Sequence, residues 1–445
     1  MRLMEFSTDS VNRRIFKVAV AIAVVTVLVK LAALGKEMVV AWRFGIGDEL
    51  DAFNVAQNIP FLLISIAGTS FQTAFIPAYV QVQQREGAPA AQQLFASSIV
   101  CAGGVFALLI AAILLAEPLY LPYLARGFTP DKLQLTRQLL WVIAPTVFLA
   151  GMSNFWGAVL NVSNVFALVA ALPLTTIIVT ILLLFLVPSV GIYALAAAIT
   201  LGTATELLIS GIVLRRQGVA LRFKWFGNTP YLKQVTRLSL SLMVSNLFAS
   251  GSGLVNVAIA ASLAAGSVAS LGYANKLIAM PIGLMATALG TALMPHFSRM
   301  TAASDWSQIK HTLKRFLQLS LGVTIPVTLV ILLFSEPITR LVFQRGAFGK
   351  GDVSVVSVLL FYLALQLPFY VASTLISRLL EAFQANRTLL VVTFMDFTLS
   401  TLLAWTLSAR MQIVGVALAI TLTRCVSFFM LFFFTYRVIK KAQCA

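Results

Sequence analysis

Apolar residues run along this chain in repeated stretches of about 20 or more, separated by short polar breaks. A helix rising about 1.5 Å per residue crosses a ~30 Å hydrocarbon layer in that length. The pattern predicts spans over 16–43, 52–80, 92–116, 136–160, 165–187, 190–214, 236–262, 268–297, 312–335, 354–380, 388–409 and 413–436. Stretches this long satisfy their own backbone hydrogen bonds only as helices, whereas a membrane β-barrel would show short alternating segments. The expected fold class is therefore all-α: a polytopic membrane protein of about twelve transmembrane helices.

Composition agrees, with 60% hydrophobic and 11% charged residues, where a soluble domain carries about a quarter charged. The net charge of +17 raises nucleic acid as a partner, but the basic residues alternate with the spans instead of forming one soluble block, so topology accounts for them and no nucleic acid is expected. With the N-terminus inside, Arg215, Arg216, Arg222, Lys224, Lys233 and Arg237 fall in a cytoplasmic linker that holds no acidic residue. The same choice puts Arg299, Lys310, Lys314, Arg315, Arg437, Lys440 and Lys441 inside, so both termini are predicted to be cytoplasmic. The first run follows Arg13, Arg14 and Lys17 and continues past Lys30, which reads as a retained span rather than a cleaved signal. Cys101, Cys425 and Cys444 have neither disulfide-framework nor metal-ligand spacing, so no metal and no resident cofactor is expected.

The halves repeat. Glu117-Pro118 and Arg126-Gly127 recur with identical spacing as Glu336-Pro337 and Arg345-Gly346, and Phe75-Ile76-Pro77 parallels Leu293-Met294-Pro295. A parallel duplication predicts an N-lobe over 1–222 and a C-lobe over 223–445, six helices each, the arrangement of a transporter that rocks about a central site. An enzyme would need a sizeable soluble loop or a convergent acidic metal site, and the sequence offers neither.

Ionisable groups at membrane depth cost about 2.5–3.5 kcal/mol each and usually face a cavity or a partner. The first span holds Lys30, Lys36, Glu37 and Arg43, and the second opens with Asp51 and Asn54. At about 100° per residue, Glu37 falls roughly 20° and Lys36 roughly 120° from Lys30 around the helix, so the three can line one broad face. The eighth span opens with Tyr273, Asn275 and Lys276 and continues through Pro281 and Gly283, a combination expected to bend. Cations along a cavity favour an anionic substrate such as a pyrophosphate. Asp396 and Glu206 each read either as a cation-coupling site or as a structural hydrogen-bond partner, the latter favoured for Glu206. His296 and His311 read as solvated surface, and Gly251-Ser252-Gly253 as a site of close helix packing or of local unwinding.

Gly35-Lys36-Glu37 to Gly45, Asp51-Ala52-Phe53, Phe75-Ile76-Pro77, Tyr273-Ala274-Asn275-Lys276-Leu277, Pro281-Ile282-Gly283, Ala288-Leu289-Gly290-Thr291-Ala292-Leu293-Met294-Pro295 and Gln344-Arg345-Gly346-Ala347-Phe348 resemble the lipid II flippase (MurJ/MviN-like) family of the multidrug/oligosaccharidyl-lipid/polysaccharide exporter superfamily. The resemblance implies a V-shaped bundle in the bacterial cytoplasmic membrane that moves a polyprenyl-pyrophosphate-linked saccharide, for peptidoglycan or another cell-envelope polysaccharide, to the outer leaflet. It places Lys30 and Lys36 where the family has first-helix arginines, matches Asp51 to its acidic residue, and puts Lys276 in place of a cavity arginine. It implies that Lys30, Lys36, Lys276 and Arg43 hold the head group, with Glu37, Asp51 and Asn275 beside them. Two departures point to altered recognition: Ile64-Ser65 stands where the family carries paired arginines, and about twelve spans are read here, two helices short of the family's lipid-tail groove. Coupling to Na+, H+ or the membrane potential fits this reading, and cell-envelope synthesis proteins are candidate partners of the basic linker. The alternative is a cation-coupled multidrug antiporter of the same superfamily, which would draw on Asp396 or Glu206.

Overall fold

A computed structural model describes the backbone of residues 5–221, 223–227, 229–302, 306–383 and 385–444. Arg222 lies outside the described residues, as do the side chains of Arg13, Arg14, Lys17, His296, Arg299, Lys441 and Cys444 and those of the motif at 288–295. The described chain is helical throughout, without a strand. Its first half contains α1 (Glu5–Phe44), α2 (Asp48–Leu63), α3 (Thr69–Arg85), α4 (Ala88–Leu124), α5 (Pro130–Ile143), α6 (Thr146–Val162), α7 (Phe166–Ala171), α8 (Pro173–Leu186) and α9 (Ile192–Arg216). The second contains α10 (Pro230–Ala261), α11 (Ser267–Ala302), α12 (Trp306–Leu333), α13 (Ser335–Phe343), α14 (Lys350–Ala364), α15 (Leu367–Ala382) and α16 (Asn386–Cys444).

Nine helices among the described residues are long and apolar enough to cross a membrane, or ten if α14 and α15, bent by 42°, form one broken span. One of the nine crosses twice. Gln412 inside α16 has φ 52° and ψ −135°, and the carboxylate of Asp396 bonds Arg424 at 2.9 Å. A straight helix would hold residues 28 apart about 42 Å from each other, so α16 is a hairpin turned at Gln412. Counting both of its legs, together with the charge-bearing α1, restores the expected total of about twelve.

Two compact units divide the chain. The first comprises Met1–Val39, Ala56–Leu121 and Leu133–Leu247; the second comprises Val40–Val55, Pro122–Lys132 and Phe248–Ala445. In the first, Phe75, Phe95 and Phe155 are wholly buried, with ring centroids 4.6 Å apart for Phe75–Phe155 and 5.6 Å for Phe95–Phe155. In the second, Leu375, Ile376, Leu379 and Leu380 put one buried face of α15 into a core with Phe297 and Ile309, the spacing expected of a helix stripe. Outward-facing positions are apolar as well: Leu115 is 81% exposed, Leu333 76% and Trp405 70%, a surface that lipid solvates and water does not.

In the first unit a β-carbon on Gly202 of α9 would lie 2.5 Å from the Cα of Thr176 on α8. One turn further on, the Thr176 hydroxyl donates to Glu206 at 2.6 Å. Small residues let backbones approach where apolar burial gives helices no drive to associate. Gly202→Leu is therefore expected to lower the melting temperature of the detergent-purified protein, at a cost of about 1–3 kcal/mol from overpacking.

Candidate functional site

The charged residues of α1 sit at graded depth. Counting back from Phe44 at about 1.5 Å per residue, Lys36 lies about 12 Å and Lys30 about 21 Å from the helix end. Lys36 pairs with its neighbour Glu37 at 2.7 Å, and Glu37 is buried. Lys30 is half-buried and has no ion-pair partner among the described residues. Arg43 lies against the ring of Phe44, 5.7 Å from its centroid. In α11, Lys276 is half-buried with its ammonium 5.3 Å from the Tyr273 ring centroid, about 14 Å along the helix from Ser267. Asn275 is half-buried beside it.

Asp51 has different partners from the head group expected of it. It is 1% exposed; Oδ2 accepts from Lys132 Nζ at 3.0 Å and from the Gly266 amide at 2.7 Å, and Oδ1 accepts from the Ala269 amide at 2.7 Å. Since α11 starts at Ser267, the carboxylate caps that helix from another element, satisfying amides that have no partner within the helix and meeting the positive end of its dipole. Lys132 also bonds Asp48 at 2.6 Å and lies 4.0 Å from the Phe128 ring centroid. All of these residues belong to the second unit, although Asp51 and Lys132 come from the first half of the sequence.

The repeated Arg-Gly motif completes the knot. Gly346, with φ +57°, presses on the backbone and ring of Trp42 at the end of α1, and the Ala347 amide donates to the Trp42 carbonyl at 2.8 Å. Its counterpart Gly127 presses on the end of α10, where a β-carbon would lie 2.5 Å from the Ala261 carbonyl oxygen. Each half's motif thus meets the first helix of the other half. Tyr273 packs against Phe343 and Phe348 at 4.9 and 5.4 Å and donates to the Gly45 carbonyl at 3.4 Å. Gly346→Val forces a branched side chain into the left-handed region and against Trp42. We expect this variant to have a lower melting temperature and to lose transport, as measured in liposomes.

The remaining acidic candidates are engaged. Glu206 accepts from Thr176; Asp396 pairs with Arg424 and accepts from Ser427. Lys132 and Arg424 escaped the sequence reading, since their partners lie 81 and 28 residues away and nothing local marks them. A π-helical turn, Ile64–Gly68, falls on the Ile64-Ser65 departure, and Asn246 donates to Ser70 just beyond it at 3.1 Å.

The family model for the lipid II flippase MurJ matches residues 40–444. The chain belongs to that family. A probable lipid II flippase MurJ of Synechocystis is 24% identical over 428 residues, covering 92% of this chain and 79% of the relative. A solved structure of lipid II flippase MurJ in an inward closed conformation superposes with a TM-score of 0.82 at 21% identity, covering 95% of this chain and 90% of that one. An inward-facing multidrug resistance MATE family transporter of the MOP superfamily superposes at 0.78 and 15% identity, over 95% of this chain and 99% of that one. At these identities the likeness establishes the fold of MurJ and MATE proteins alike, and the family match separates them.

Proposed function

We propose that the chain is an alternating-access flippase for a polyprenyl-pyrophosphate-linked saccharide, lipid II or a related cell-envelope precursor. The observation that carries this reading is a set of lysines on apolar helices, Lys36 and Lys276, each a few turns from a knot that fastens the ends of α1 and α11 together. Family membership supports the substrate class. The basic linker favours a cytoplasmic position for the end of α9, and so an outer position for the knot at the far end of α1.

A pyrophosphate cannot cross hydrocarbon bare, because an isolated charge in a low dielectric costs tens of kcal/mol. Lysine ammonium groups on the spans supply charge-assisted hydrogen bonds in place of water, while the polyprenyl tail stays in the bilayer. In this reading the Asp51 bonds break in one half of the cycle and re-form in the other, so that the end of α1 alternates between a latched and an unlatched state. Transport of a fluorescent lipid-linked saccharide by the purified protein in liposomes tests the reading. The antiporter reading rests on the MATE likeness, but it needs an exchangeable membrane carboxylate, and Glu206 and Asp396 already hold protein partners. Ion coupling through either would require a cation to displace those bonds.

A further inference from the structure

The second unit contains a cavity of about 230 Å³ between α15 and the hairpin of α16, lined among others by Tyr370, Ser373, Arg378, Glu381, Asp396 and Arg424. That is room for roughly seven waters at ~30 Å³ each. Arg378 lies about 6 Å along α15 from its end and Asp396 about 15 Å into α16, so the cavity starts near the end that the basic-residue rule places in the cytoplasm. Lys36, Lys276 and the Asp51 knot are not among its walls.

Two arginines face two carboxylates, so the charges of its walls balance, but the arginine hydrogen-bond donors are in excess. Arg378 spends one N–H on Glu381 at 2.7 Å, and Arg424 spends one on Asp396 at 2.9 Å. A guanidinium carries five donors, and the rest have no protein acceptor among the described residues. Both oxygens of Asp396 are already taken, by Arg424 and Ser427. The Ser373 hydroxyl is buried without a partner, and the Tyr370 ring holds the Arg424 guanidinium with its carbon 5.5 Å from the centroid. Donors exceed acceptors, and two forked cations share one small space. A metal ion would meet carboxylates already neutralised by arginine, whereas an oxyanion would meet unused paired donors of the kind that bind phosphate.

We propose that this cavity is a second anion site that takes a phosphate-type group through Arg378 and Arg424, supplied either by a lipid head group or by a soluble phosphate. The proposal stands apart from the flippase reading.

The test uses the full chain carrying Lys36→Ala and Lys276→Ala, so that these two lysines do not contribute. In phosphatidylcholine nanodiscs at constant ionic strength, inorganic pyrophosphate is titrated while the melting temperature is followed. A parallel arm uses phosphatidylglycerol nanodiscs and counts retained lipid by native mass spectrometry. We expect saturable stabilisation or retained phosphatidylglycerol, weakened tenfold or more by Arg378→Gln and by the Asp396→Asn/Arg424→Gln pair. The arm that responds names the source. If the double variant does not fold, Arg378→Gln decides alone, because its side chain is 43% exposed and its ion pair lies at the rim. Absence of binding in both arms, or binding indifferent to the arginine variants, overturns the proposal.

Discussion

Asp51→Ala is expected to abolish transport and to unlatch the knot between α1, α2 and α11. The substitution takes from the buried Lys132 ammonium its buried carboxylate partner and strips the Gly266 and Ala269 amides of their acceptor. Breaking a buried ion pair by removing one partner costs about 3–5 kcal/mol. The cost falls only on the conformation in which the knot is tied. In an alternating-access cycle it therefore shifts the equilibrium toward the unlatched state by a factor on the order of 10²–10³, since about 1.4 kcal/mol is tenfold. Thiol labelling of a cysteine introduced at Ala269, buried in the knot, in a background without the native cysteines would read this directly: protected in the Asp51 protein, reactive in Asp51→Ala. Asp51→Asn keeps one acceptor oxygen but not the charge, and is expected to fall between them.

Removal of the intramembrane cations has the other large effect. Lys36→Ala and Lys276→Ala each delete a charged donor worth about 1.5–3 kcal/mol per hydrogen bond, or on the order of 10–150-fold in head-group affinity. The double variant is expected to flip nothing measurable. Folding should survive, because the ion pair lost with Lys36 is to its sequence neighbour Glu37 on the same helix and ties no two elements together. Lys36→Arg and Lys276→Arg keep the charge and add a planar fork, so they should retain transport if the ligand is a pyrophosphate. A cationic drug as substrate predicts the opposite, with efflux improved by loss of positive charge.

The spans were legible because lipid imposes one simple rule, an apolar run long enough to cross. Even the α16 hairpin was marked, since the runs over 388–409 and 413–436 leave a break that falls on Gln412. The repeated motif stood out in the sequence, and its two glycines, Gly127 and Gly346, lie at close backbone approaches. What local pattern could not supply was pairing. Asp51 was recognisable as a buried charge, but its partners come from residues 132, 266 and 269, and only folding brings them together. Asp396 looked isolated among apolar neighbours until the hairpin delivered Arg424 and Ser427. A lone carboxylate in a span therefore announces a partner without naming it.

The most direct measurement is flipping of fluorescent polyprenyl-pyrophosphate saccharides in liposomes containing the purified protein, followed by their exposure at the opposite leaflet. The lysine double variant is compared with the parent chain at equal incorporation. The account predicts flipping by the parent and its loss in the double variant. Undiminished flipping without Lys36 and Lys276, or inactivity toward every lipid-linked saccharide together with proton-driven efflux of cationic dyes, would contradict it.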